Sequence, residues 1–306
     1  MSGFVASKLC LAWFFARFDP DEISSMTEFC TLARAIEMSG IGLHCGREIS
    51  VKIVPDERAG WHFARRDLAG TPEVKAALEN VAATHHATVL QSGQARVSTT
   101  EHLLAALWTA GITHARIELD GEEVPILDGS SKGWVEAISL AGREKTGGER
   151  PRYAFNQNVW HQEKSTSVLG VAHSQFRLSV AVDFEHLHAG AQSIDLVVDA
   201  ANFARELSPA RTFTLESWLQ PLRDAGLIRG GSLENALLIG NDGPSSPLRF
   251  PNELARHKAL DAIGDLALLC GDGGAFCGHV IAIRAGHGPH RAWMNLCRSK
   301  DALTRL

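Results

Sequence analysis

The stretch NELARHKALDAIGDLALL, residues 252–269, reads as a helix that is apolar on nearly every side, yet it carries His257, Lys258, Asp261 and Asp265. Charged side chains are seldom buried unless they are paired or bound to a metal. His257 and Asp261 are four apart, so on a helix they project from one face, and Asp265 continues the stripe by one turn. Ala259, Ile263 and Leu266 point the other way. An imidazole nitrogen and a carboxylate oxygen so placed can share a cation at roughly 2.0–2.2 Å from each. HxxxD alone is a weak signal, because a histidine bonded to a neighbouring carboxylate gives the same spacing.

Working outward, the chain alternates strand and helix patterns. EISVKIVP (48–55) alternates and ends in proline, as a strand does. Residues 97–121 read as a strand end, a helix and a second strand, with Gly111 as the helix stop. Residues 123–142 read as a turn and a helix. REKTGGERPR (143–152) is charged and poor in apolar residues, which marks it as a linker. Beyond it, 176–186 and 234–242 read as strands, 193–208 as a strand entering a helix, and 216–226 as a short helix. Asn252 is the expected cap of the long helix, 273–288 a strand ending in a Gly-His turn, and 291–306 a closing helix. The fold class expected is α+β in two units, residues 28–146 and 147–306, with residues 1–27 a poorly packed extension ahead of the strand patterning that begins after Met26. No repeat period is visible.

The 306 residues are 45% hydrophobic, enough for a sizeable core, and a formal charge of −5 gives no electrostatic case for nucleic acid. No apolar run is long enough to span a bilayer. The six cysteines (10, 30, 45, 270, 277, 297) form no CxxC pair, so free thiols and a cytoplasmic setting are expected.

A second polar group begins at Thr100-Glu101-His102, at the start of the 97–121 helix. Ser98 and Glu101 also match a capping box, which alone would account for the glutamate. Arg211-Thr212-Phe213 and Ala285-Gly286-His287 are ordinary taken singly. Together, SGIGLHCG (39–46), STTEHLLAAL (98–107), EVPILDGSS (123–131), RTF (211–213), GGS (230–232), LRFPNELARHKALDAIGDLALL (248–269) and AGH (285–287) resemble, in order, the motifs of the UDP-3-O-acyl-N-acetylglucosamine deacetylases. These are zinc enzymes at the committed step of lipid A synthesis.

The resemblance runs from about residue 31 to the C-terminal helix. It implies two domains of like topology, each a mixed sheet against helices, with small inserts near 58–86 and 214–243 completing the site. It implies one zinc on His102, His257 and Asp261; the N/O donors would also admit iron(II). Glu101 would be the general base, Thr212 would polarise the acetyl carbonyl, His287 would be the cationic acid and Asp265 would orient it. Lys258 would reach the charged groups of a UDP-linked acylated amino sugar, and Phe213, Gly230 and Gly231 would border the acyl passage; Arg284 is a second cation suited to the diphosphate, and Phe184 is a further expected substrate-binding residue. A monomer is expected.

Three departures from the family pattern stand out. Leu187 occupies a position where proline is usual, and Cys45 replaces a small polar residue. The late Gly-His is followed by Gly288-Pro289-His290, where the family carries an asparagine. The competing expectations are a zinc amidohydrolase for another N-acyl sugar and a non-catalytic binding homologue.

Overall fold

The computed structural model describes residues 27–306. The expected extension, but for Thr27, lies outside the described residues.

The first half contains β1 (Glu28–Leu32), β2 (Ile36–Ile41), β3 (Glu48–Val54), β4 (Gly60–Arg65), β5 (Glu73–Lys75), β6 (Val81–Ala83), β7 (Val89–Ser92), β8 (Ala95–Val97), α1 (Glu101–Thr109), β9 (His114–Leu119) and α2 (Lys132–Ala141). Its main sheet has the order β2-β3-β9-β4-β5. Only the β4–β9 pair is parallel. Alternation sets its inner face: Ile49, Val51 and Ile53 of β3 are buried, while Ser50 and Lys52 between them are not.

The second half contains β10 (Arg143–Glu149), β11 (Arg152–Phe155), β12 (Val159–Glu163), β13 (Thr166–Val171), β14 (Phe176–Asp183) and β15 (Ala191–Val197). It continues with α3 (Ala200–Asn202), β16 (Phe213–Leu215), α4 (Glu216–Asp224), β17 (Leu237–Gly240), β18 (Gly243–Pro244), α5 (Glu253–Ala267), β19 (Ala275–Ile283), α6 (His287–Ser299) and β20 (Leu303–Arg305). The path β12-β13-β19-β14-β15 repeats the first sheet, with two antiparallel hairpins flanking a late central strand and the second hairpin parallel to it. β11 and β20 extend the sheet beside β19. In each half the helix before the central strand is α1 or α5, and each half carries a small three-stranded excursion ahead of that helix: β6-β7-β8, and β16-β17-β18 with α4. The like topology expected from the resemblance is therefore present, although no repeat is visible in the sequence. The halves share strand directions and patterning rather than residues.

α1 and α5 pack against each other in the middle. All nine residues of α1 and thirteen of the fifteen in α5 are buried, which is why their sequences look apolar on every side. Leu103, Leu104 and Leu107 have no exposed surface, and burial of each contributes about 1.5–3 kcal/mol. The approach is close at Gly264, where an added Cβ would lie 2.0 Å from the Glu101 carbonyl oxygen. Only glycine lets the two backbones meet there.

Several expectations change. Residues 143–149 are not a free linker: they form β10, paired antiparallel with β1, and their charges lie on exposed faces of this ribbon. The first insert is 81–97 rather than 58–86, since β4 and β5 belong to the main sheet. The closing helix starts at His287, and the chain then returns as β20 on β11. Asn252 occupies the cap position of α5, but its amide donates to Ser193 O and its carbonyl accepts from Arg256. The described cysteines are all free.

Gly264→Ala tests the helix contact. Overpacking costs about 1–3 kcal/mol, and more where backbone must move. A lower melting temperature is expected, because the contact joins two helices buried almost all round. Unchanged melting would show that the contact is not needed.

Candidate active site

The polar stripe of α5 faces the first turn of α1. Nε2 of His102 lies 3.5 Å from Asp261 Oδ1, and Nε2 of His257 lies 3.4 Å from the same oxygen. The two imidazoles meet edge to face with centroids 5.1 Å apart. Asp261 Oδ1 is buried with no hydrogen-bond partner, whereas Oδ2 accepts from Lys258 Nζ at 2.8 Å. Leaving such an oxygen unpaired is costly. A tetrahedral ion with arms of 2.0–2.1 Å separates its donors by about 3.3–3.5 Å, the spacing of both imidazole nitrogens from Asp261 Oδ1. His257 Nδ1 faces Ala210 O at 3.2 Å, which leaves Nε2 as the lone-pair nitrogen. Burial pushes the His257 pKa down to about 3, so the ring is neutral, as a ligand must be. Burial works against the Asp261 carboxylate, but His257 and Lys258 outweigh it and hold its pKa well below the usual range. His102, His257 and Asp261 thus fit a metal ion.

Across the cluster, Glu101 Oε1 lies 3.8 Å from His287 Nε2, and Glu101 Oε2 accepts from Thr88 N at 3.1 Å. The capping box is absent: the Ser98 hydroxyl bonds Glu122 O, and Thr100 occupies the cap position. The helix begins too late for Ser98 to cap it, which frees the Glu101 carboxylate for the cluster. Burial raises the Glu101 pKa, opposed by His287 and His102. His287 Nδ1 lies 2.8 Å from Asp265 Oδ2. Burial would lower the His287 pKa, but the carboxylates of Asp265, Glu101 and Asp261 outweigh it and push it up to about 9. Burial likewise opposes ionisation of Asp265, yet His287 and His290 hold its pKa far below normal.

One cavity of about 330 Å³ joins these groups to the second excursion. Thr212, Phe213 and Gly231 line it, together with Trp218, Leu222 and Ile228 from the apolar stretch 214–243. Leu215, from the same stretch, is buried in a small core with Leu237 and Ile239 instead. Thr212 is held by its N–H on Gly129 O at 2.7 Å. Behind it, the fully buried Glu253 carboxylate accepts from the Arg211 guanidinium and from the N–H groups of Arg211 and Arg249, while Arg249 also pairs with Asp128. That network ties the RTF segment to the start of α5 and to the EVPILDGSS loop.

Phe184 stands one layer back, edge-on to Phe213 and Trp218 at 5.2 and 6.1 Å between centroids. Gly230 packs on the SGIGLHCG loop, where a Cβ would come within 2.4 Å of Gly42 O. Arg284 is not brought in: it pairs with Asp183 and Glu185 at a separate groove.

Sequence reasoning missed His44, His86, Thr88 and His290. His44 and His86 line the cavity, and neither ring nitrogen of His44 has a partner. The buried Glu123 carboxylate fixes the His44 turn by accepting from His44 N, Cys45 N and the Thr99 hydroxyl. The only sequence signal for His44 was its place inside SGIGLHCG.

The family model described as UDP-3-O-acyl N-acetylglycosamine deacetylase matches residues 30–297. The chain is similar to the UDP-3-O-acyl-N-acetylglucosamine deacetylase of Trichormus variabilis, with 41% identity over 268 residues covering 85% of this chain and 94% of the relative. The Solibacter usitatus protein of the same name is 40% identical over 265 residues, 86% of this chain and 88% of the relative. The Chlamydia muridarum protein is 38% identical over 269 residues, 87% and 93%. With its two α+β halves and the cluster between them, the chain belongs to the UDP-3-O-acyl N-acetylglycosamine deacetylase family.

Proposed function

We propose that the chain removes the N-acetyl group of UDP-3-O-acyl-N-acetylglucosamine, in lipid A biosynthesis, with zinc on His102, His257 and Asp261. The observation that carries this reading is the buried Asp261 Oδ1, unpaired and facing two imidazole nitrogens, with a carboxylate and a cationic imidazole across from it. Three protein donors leave a coordination position open, the pattern of catalytic zinc. Zinc held by these residues would supply Lewis acidity there and lower the pKa of water from about 15.7 to about 7.

The chain's own residues do the rest. Glu101 accepts the proton of the attacking water at its carboxylate; Oε1 is the oxygen free of the Thr88 bond and turned to His287. The Thr212 hydroxyl, on the cavity wall, donates to the carbonyl oxygen as it gains charge. One such donor is worth roughly 3–4 kcal/mol in the transition state. His287 Nε2 gives its proton to the departing nitrogen, since an amine leaves poorly until protonated. Asp265 fixes the Nδ1–H tautomer that leaves Nε2 to act.

Lys258, cationic beside Phe213, faces the charged part of the substrate, and the Phe213–Trp218–Leu222 wall takes its acyl chain. Arg284 lies at a separate groove whereas Lys258 lines the cavity, so the phosphate contact falls to Lys258. The free thiols and a UDP-linked substrate support work in a reducing cytoplasm.

Acetate release from UDP-3-O-acyl-N-acetylglucosamine, measured with metal content, tests the assignment. Alanine at His102, His257 or Asp261 is expected to lose the zinc; full occupancy in all three variants would sink the ligand set. Glu101→Gln keeps the metal and loses about 10²–10⁴-fold in kcat. Loss of metal there would mean that ligand and base have been confused. The His287 ring is charged below its pKa, so the acid is spent as pH rises through about 9. An NMR titration of the metal-free protein should place its midpoint near that value, and Asp265→Asn should lower it. A midpoint at the ordinary histidine value would remove the case for a cationic acid.

A further inference from the structure

Asp265 is held by more than the acid it serves. Its Oδ1 accepts the Thr88 hydroxyl, and its Oδ2 accepts two imidazole N–H groups: His287 Nδ1 and His290 Nδ1, each at 2.8 Å. His287 and His290 are three apart at the start of α6, so both rings hang from one face of its first turns. His290 N donates to Gly286 O at 3.0 Å, which seats its ring in regular helix. The ring is buried, at 3% exposure, and does not line the cavity.

We infer that His290 is a positioning residue for the deacetylation, clamping the Asp265 carboxylate so that Oδ2 stays on His287 Nδ1. Held only by the Thr88 hydroxyl and by the acid itself, the carboxylate would turn about its Cβ–Cγ bond as His287 moved. A second donor on Oδ2, from the helix that bears the acid, stops that rotation and ties the first turns of α6 to α5. His287 Nε2 is then kept 3.8 Å from Glu101 Oε1 and 4.0 Å from Asp261 Oδ2, aimed at the cluster.

The inference rests on the reading of His287 as the acid, so the experiment carries a control for it. Steady-state kinetics and zinc content are compared for His290→Asn, His290→Gln, His290→Leu and His287→Ala. The asparagine amide reaches the place of a histidine Nδ1, the glutamine amide lies one bond further out, and leucine donates nothing. The leucine and glutamine variants are expected to lose kcat about tenfold or more, with zinc content intact. Their KM should stay within about twofold, because the donor matters in the transition state and not in binding. His290→Asn is expected to stay within about threefold of the parent. Full kcat in His290→Leu would overturn the inference, as would equal losses in the asparagine and leucine variants or a loss confined to KM or metal. Should His290→Leu fail to fold, the asparagine–glutamine pair decides, and equal kcat values overturn the inference. A His287→Ala variant at full rate would instead refute the acid itself.

Discussion

Two helices that are each buried almost all round can share a polar site only if their backbones come very close. Gly264 provides that approach by leaving room for the carbonyl of Glu101, the residue whose side chain begins the cluster. The contact sets the axial register of α1 against α5. It therefore sets the distance from His102 to His257 and Asp261, and the reach from Glu101 to His287. A wider separation would leave five ionisable groups buried with their charges unmatched, which the apolar packing around them could not offset.

Within that frame the charges sort by oxygen as well as by residue. The two oxygens of Asp261 face different partners, one turned to the imidazoles and the other to Lys258. The two oxygens of Glu101 divide between a backbone N–H and His287. Such division gives each of these oxygens its own neighbour in a small buried volume. His287 is the only imidazole in contact with more than one of them, and its pKa is pushed up, while the ring of His257 is pushed down. One buried pocket thus holds a neutral histidine and a cationic one, a separation that acid–base chemistry at one pH requires.

Much of this was legible. The i, i+4 spacing of His257 and Asp261 put them on one face, and the helices holding Glu101-His102 and His257 lie where periodicity placed them, whereas α6 begins at His287, inside the expected turn. What brought Glu101-His102, Thr212 and His287 to that face was the resemblance, because nothing local joins α1 to α5. The capping-box pattern misled for a definite reason: Ser-x-x-Glu is the same string whether the helix starts at residue 99 or at Glu101, and the later start turns the glutamate inward. Thr88 had no signal at all, being 177 residues from the carboxylate it holds. His290 had one, three places after His287, but it emerges only once α6 is known to begin at that histidine. The β10–β1 ribbon was hidden because an exposed edge strand is charged and glycine-bearing, as a linker is.

The topological repeat has a consequence for how the chain acquires its chemistry. Each half is a sheet that could gather its own hairpins early, since these join residues near in sequence. The reacting groups obey the opposite rule. Thr88 must find Asp265, and His287 must find Glu101, so the cluster closes some of the longest loops in the molecule. On a ribosome, the first half can compact with Glu101 and His102 in place while His257, Asp261 and His287 are still to be made. The cluster is complete only when residue 287 has been made and α5 has docked on α1.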